Sequence, residues 1–281
     1  MTSLPQPAQD ATHAALEHAK RDHDRDITVL SDPVNFTVKH PLYSPWTLSF
    51  DSASKQDKAK SWEDAIVPVA SFADVESFWA LHHNVVPPST LGQNANYYLF
   101  KQGIKPAWED DANARGGKWS VQLPRGKYTD SIDRFWLYTM LAAIGETFET
   151  PYVSPSSSSS SAAPAPSSTS PAPLPSTFTN EITGVIVSTR KAFFRLNIWT
   201  RSSPTSVSSS SPAELDQVEH RIKNIGRHFK YGVLGFPEGE GTFAQGDKVS
   251  SDVEFQSHKD SQQKVRAPSR LVFSLPAGSS R

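Results

Sequence analysis

The sequence predicts an α+β domain, and two observations carry that reading. Several segments alternate apolar and polar side chains at the period of a strand, and three others repeat apolar residues at the period of a helix. Strands are expected at Trp46–Phe50, Trp119–Leu123, Gly184–Arg190, Phe193–Thr200, Val253–Gln256 and Leu271–Ser274. The first helix is expected over about 72–83, where Ser71 and Asp74 form a capping-box pattern. The second is expected over about 130–146, after Thr129 and Asp130. The third is expected over about 213–230, with Pro212 suited to a helix start. Its residues Leu215, Val218, Ile222, Ile225 and Phe229 form one stripe, which should lie on a sheet. The second helix carries two stripes: Ile132, Phe135, Trp136, Met140 and Ala143, then Leu137, Leu141 and Ile144. Such a helix is buried on both sides or offers one face to a partner, and burial is the commoner outcome.

Composition marks the boundaries. Residues 1–36 are polar and poor in large apolar groups, and read as a disordered tail. Residues 151–177 are rich in serine and proline, which build no core, and read as an inserted loop. A second serine-rich patch, 201–211, reads as another surface loop. Neither flank of the long insert looks complete alone, so residues 37–281 are expected to form one domain. The formal net charge of -1 argues against a general coat for nucleic acid. A nucleic-acid ligand would be gripped locally. With no cysteine there is no disulfide framework and no thiolate metal site. No metal or cofactor is expected. The N-terminus lacks the apolar stretch of a signal peptide, so a cytoplasmic or nuclear location is expected.

The segment GVIVSTRKAFFRLNIWT reads as a β-hairpin. If Arg190 pairs with Arg195 across the loop 191–194, then Ser188 faces Asn197 and Ile186 faces Trp199. One face is then apolar, with Val185, Val187, Thr189, Leu196 and Ile198. The other ends in two adjacent guanidinium groups with Trp199 further in. Like charges placed opposite one another are destabilising, so an anion between them is one explanation, and guanidinium forks suit phosphate. A solvated pair at a strand end is the commoner alternative.

Seven tryptophans are present. Trp46, Trp119 and Trp136 sit in apolar settings and read as core. Trp62, in DKAKSWEDA, and Trp108, in KPAWEDDA, sit in charged, loop-like surroundings. Either one alone is consistent with ordinary packing against a loop; two of them, with basic groups and a carboxylate, suggest a stacking site. An N7-methylated guanine is cationic, so two indoles can hold it by stacking and by cation–π attraction. Stacking accepts any base, and selection needs an edge reader. Glu109 can accept hydrogen bonds from N1–H and the N2 amino group of guanine. Asp110 and Asp111 read as solvated loop acids.

The blocks HPLYSPWTLSF, SFADVESFWALHHNV, YYLFKQGIKPAWEDDANARGGKW, DRFWLYTMLAAIGETF and GVIVSTRKAFFRLNIWT resemble, in order and spacing, the cap-binding translation initiation factor 4E family, with a fungal-like cast. The resemblance covers most of 40–231. It implies a curved antiparallel sheet with three helices packed on its convex face and the messenger RNA cap in the concave face. It also implies that Trp62 and Trp108 stack on the base and Glu109 reads guanine. Trp199 would lie beside the N7 methyl, and Arg190 and Arg195 on the phosphates. Lys118 occupies a position that is arginine in animal members; it keeps the charge and loses the planar fork. The family's partners are a scaffold initiation factor of the 4G type and regulators, each with a Tyr-x-x-x-x-Leu-hydrophobic helix. His40, Pro41, Val75, Trp79, Leu137 and Leu141 match the docking surface. Tyr138 replaces a glutamate common in animal members.

Two other readings compete. A glycosidase could use Glu109 and Asp111 as paired acids, but a run of neighbouring loop acids is usually surface charge. A carbohydrate-binding module could use the aromatic residues, but it has no need of Arg190 and Arg195.

Overall fold

The computed structural model describes residues 39–52, 65–153, 178–206, 212–236, 253–259 and the backbone of 271–272. The expected tail, residues 154–177 and 207–211 of the two expected loops, and Trp62 lie outside the described residues. The chain divides into two units, Met1–Pro41 and Leu42–Arg281, and only Lys39–Pro41 of the first is described.

Eight strands form one curved sheet: β1 (Pro41–Asp51), β2 (Val67–Asp74), β3 (Asn96–Lys101), β4 (Gly117–Pro124), β5 (Ile182–Thr189), β6 (Phe193–Thr200), β7 (Glu254–Ser257) and β8 (Leu271–Val272). Their order is β2-β1-β3-β5-β6-β4-β7-β8, and the registered pairs from β1 to β8 are antiparallel. Among the described residues four α-helices accompany them: α1 (Val75–Asn84), the single turn α2 (Arg125–Tyr128), α3 (Ile132–Ile144) and α4 (Pro212–Arg227). A wider-wound turn, His228–Val233, extends α4.

Sequence reading misses β2 and β3. In β3, NYYLFK, all six residues are buried, so the alternation that marks a half-exposed strand is absent. β2 carries Pro68 and runs straight into α1, so in sequence its end resembles the helix start. The helix in fact begins at Val75. Asp74 is its N-cap and accepts from the Ser77 amide at 2.8 Å. The second helix also runs shorter than expected, and α2 was unforeseen.

The convex side of the sheet holds the main core. Trp46, Leu48, Leu99, Trp119, Val121, Leu123, Val185, Val187, Phe194, Leu196 and Ile198 pack there with the inner faces of α1, α3 and α4. Trp46, Trp119 and Trp136 are buried as expected. α4 lies directly on Trp119: the indole Nε1 donates to the Ile222 carbonyl at 3.0 Å. A Cβ added to Gly226 would fall 2.6 Å from the Trp119 ring, so only glycine allows this approach. The first stripe of α3 is buried throughout and the second only in part. Ile132, Phe135, Trp136, Met140, Ala143 and also Ile144 are buried, while Leu137 and Leu141 stay half-buried and Tyr138 is exposed.

Candidate functional site

Register alone orders the concave face into rows. The first row runs Asp51, Asn96, Ser188, Arg195, Gln122 across β1, β3, β5, β6 and β4. The second runs Ser49, Tyr98, Ile186, Asn197, Ser120 and Glu254. The third runs Thr47, Phe100, Gly184, Trp199, Lys118 and Gln256. Successive rows stand about 7 Å apart, two residues along a strand. The face therefore grades from charged at one end to aromatic at the other.

This register corrects the expected hairpin. Ser188, not Arg190, lies opposite Arg195, and Ile186 lies opposite Asn197. The Arg190 amide donates to the Phe193 carbonyl at 2.9 Å, so the turn is the two residues Lys191 and Ala192. The slip is two residues, and an even slip leaves each side chain on its face. Arg190 and Arg195 therefore still share the concave side. They remain close enough that Arg190 lowers the Arg195 guanidinium's pKa, second to burial. The turn is braced from below: the Arg125 amide donates to the Ala192 carbonyl at 3.0 Å, and Arg125 Nη1 donates to the Arg190 carbonyl at 3.3 Å.

At the aromatic end, Trp199 is 7% exposed and meets Phe100 edge-on, with ring centroids 5.5 Å apart. Gly184 makes this possible, because a Cβ there would lie 2.4 Å from the Phe100 ring. On its other side Trp199 faces His258, with centroids 4.2 Å apart. Lys118, opposite Trp199, has its pKa lowered by burial and then by Arg195. Several polar atoms on this face are buried without a hydrogen-bond partner among the described residues: Arg195 Nε, Asn197 Oδ1, Trp199 Nε1 and His258 Nε2. Buried polar atoms left unpaired are costly, and a polar ligand would satisfy them.

His258 was not foreseen. Burial, and then Lys118, push its imidazole down from 6.5 to about 3. Between those two pH values the unfolded chain binds a proton that the folded chain refuses. Stability should therefore fall as pH drops through that window. His258→Phe keeps the ring against Trp199 and removes the titration. Its acid unfolding curve should be shallower than that of the parent by up to about 1.4 kcal/mol per pH unit. Parallel curves would contradict the assignment.

Trp108 and Glu109 sit at the rim, both exposed, on the loop after β3. That loop is firmly built. Asp110 is not a solvated acid: Oδ2 accepts from the Lys105 amide and Oδ1 from the Ala112 amide, both at 2.9 Å. The fully buried Asn113 donates to the Lys105 and Ala107 carbonyls at 2.9 and 2.8 Å. At its root, Lys101 pairs with Glu146 at 2.9 Å, both side chains nearly inaccessible, and donates to Asn180. Among the described residues no hydrogen bond holds the Glu109 carboxylate, and Asp111 is exposed.

On the convex side, α1 and α3 come together. Trp79 is half-buried against the rings of Phe78, His82 and His83. Tyr138 forms a ridge between two hollows. One, of about 280 Å³, is lined by residues that include His82, Val85, Val86 and Leu137. The other, of about 360 Å³, is lined by residues that include Leu141, Ala142, His228 and Val233. Asp133, beside the first, is occupied by the Ser89 amide and hydroxyl at 2.8 and 2.6 Å. Val75 is half-buried at the start of α1. His40 and Pro41 lie exposed in the first unit.

Residues 41–270 match the family model for eukaryotic initiation factor 4E. The chain belongs to that family. It is 41% identical over 175 residues to eukaryotic translation initiation factor 4E of Saccharomyces cerevisiae, covering 62% of this chain and 68% of the yeast protein. It is 32% identical over 246 residues to the 4E-1 protein of Schizosaccharomyces pombe, covering 87% of this chain and 88% of that one. Among solved structures, it is similar to Ascaris suum eIF4E-3 in complex with an m2,2,7G cap. There the TM-score is 0.57 and the identity 28%, over 84% of this chain and 98% of that one. It is also similar to Caenorhabditis elegans eIF4E-3 in complex with the 4E-binding protein Mextli and a cap analog. That match has a TM-score of 0.55 and 28% identity, over 82% of this chain and 99% of the other. The 4E fold thus accounts for the sheet and its helices.

Proposed function

We propose that this protein binds the 7-methylguanosine 5′ cap of messenger RNA in its concave face and recruits a scaffold protein of the 4G type to start translation. It acts by binding, not by turnover. The observation that carries the reading is the order of chemistry along β6, from the aromatic Trp199 through Asn197 to the cationic Arg195, with the Trp108–Glu109 loop at the rim. A cap has the same order: a cationic aromatic base, a ribose and an anionic phosphate chain.

In this reading the indoles of Trp108 and Trp62 clamp the base, and Glu109 reads its Watson–Crick edge. Trp199 lies against the N7 methyl group. Arg190, Arg195 and Lys118 meet the phosphates. Immobilised 7-methyl-GTP should retain the protein; free 7-methyl-GTP should elute it and GTP should not. Retention on a polysaccharide resin instead would support a carbohydrate-binding module. Arg190→Ala should weaken binding of 7-methyl-GTP more than of 7-methylguanosine; equal losses would remove Arg190 from the phosphate contact.

The scaffold and regulators bearing the Tyr-x-x-x-x-Leu-hydrophobic helix dock on the convex surface around Val75, Trp79, Leu137 and Leu141. The half-buried apolar side chains of α1 and α3 and the hollows flanking Tyr138 support this. Trp79→Ala should weaken binding of such a peptide by roughly 30-fold, the loss of a typical interface anchor. Cap affinity should not change. Loss of both would make Trp79 a core residue.

A further inference from the structure

A buried carboxylate sits at the charged end of the concave face, and the functional reading above does not use it. Asp51 is 6% exposed, at the end of β1, directly opposite Asn96 of β3. Asn96 Nδ2 donates to Asp51 Oδ1 at 2.5 Å. On the same carboxamide, Oδ1 accepts from Arg190 Nη2 at 3.1 Å. The Tyr98 hydroxyl donates to the second carboxylate oxygen at 3.3 Å. Arg190 Nη1 also donates to its neighbour's carbonyl, that of Thr189, at 2.8 Å.

Each end of the Asn96 amide has one chemically permitted partner. A carboxylate only accepts and a guanidinium only donates, so the amide has a single sensible orientation. We propose that Asp51 is a positioning residue for the phosphate end of the site: acting through Asn96, it holds the Arg190 guanidinium in the orientation that meets the phosphate chain. This rests on the cap reading above and adds to it.

The arrangement meets two requirements at once. Arg190 and Arg195 repel each other, and a nearby anion offsets that repulsion while no ligand is bound. With the Asn96 carboxamide between it and Arg190, Asp51 contributes its charge and fixes one guanidinium edge. The remaining N–H groups stay available to phosphate oxygens. Ordering the guanidinium beforehand removes part of the entropy cost of binding.

The test uses the full-length chain and the variants Asp51→Asn, Asn96→Leu and the exchange Asp51→Asn/Asn96→Asp. Affinities for 7-methyl-GTP and 7-methylguanosine give the increment due to phosphate. Asp51→Asn and Asn96→Leu should each cut that increment by about three- to tenfold and leave 7-methylguanosine affinity unchanged. The exchange, which returns a carboxylate to the cluster beside Arg190, should restore most of it. A second readout needs no ligand: rotation of the Arg190 guanidinium about Nε–Cζ, measured by NMR, should be slow in the parent and fast in Asp51→Asn. An unchanged increment would overturn the proposal. So would a larger increment, which would mark Asp51 as a repelling anion, or equal losses for both ligands, which would mark it as structural. Should the parent fail to bind 7-methyl-GTP, the cap reading fails, and unchanged guanidinium rotation in Asp51→Asn would still refute the positioning role on its own.

Discussion

Replacing Trp108 with alanine is expected to lower affinity for 7-methyl-GTP by about 10²- to 10³-fold. One stacked base is worth roughly 1–3 kcal/mol, and a desolvated cation–π contact adds about 2 kcal/mol. Each 1.4 kcal/mol is about a factor of ten. The residue is placed so that the loss falls on binding and not on folding. Its side chain is 37% exposed. The loop around it is held by the backbone contacts of Asp110 and by the buried amide of Asn113, none of which involves the indole. The melting temperature should therefore stay close to that of the parent. An affinity loss below threefold with an intact fold would remove Trp108 from the clamp.

The second large effect is expected at Glu109. Its carboxylate is exposed without a protein partner among the described residues, and in the proposed function it accepts two hydrogen bonds, from N1–H and N2 of guanine. Hydrogen bonds to a charged group contribute about 1.5–3 kcal/mol each, and the exposed setting favours the lower figure. Glu109→Ala should cost about 10²-fold in affinity for 7-methyl-GTP. It should also erase the preference for 7-methyl-GTP over 7-methylinosine triphosphate, which lacks the N2 amino group. A variant that still separates these two nucleotides would show that another group reads the base edge.

What the sequence made legible was local. Trp108 and Glu109 stand out because an indole in a charged loop is odd within a few residues of chain. The two faces of the β5–β6 hairpin were readable because alternation depends only on period two. Its register was not, since the hydrophobic pattern fits slips of two equally well and the short Lys191–Ala192 turn carries no glycine or asparagine to announce itself. β3 escaped notice because burial on both faces erases alternation. Asp110 and Asn113 looked like two more polar loop residues; the signal available was their tendency to cap backbone amides and carbonyls in turns. The Asp51–Asn96–Arg190 chain has no local trace at all. It joins two strand residues to the residue just past β5 and exists only once β1, β3 and the end of β5 lie side by side. His258 likewise becomes notable only when β7 brings it against Trp199.

The structure also divides labour between the two sides of the sheet. The convex side is sealed by α4 on Trp119 and by the inner faces of α1 and α3. The concave side keeps Trp199, Asn197, Arg195 and His258 with polar atoms unpaired. Under the proposed function, substitutions on Trp79 or Leu141 should thus act on partner binding without moving the concave rows proposed to hold the cap.

The most direct test is the ratio of affinities for 7-methyl-GTP and GTP, read from tryptophan fluorescence quenching of the parent protein. These ligands differ by one methyl group and the positive charge it creates. If indoles hold the cationic base, the methylated nucleotide should bind more tightly by at least about 30-fold, the equivalent of about 2 kcal/mol of cation–π attraction. Equal affinity for the two nucleotides would contradict it.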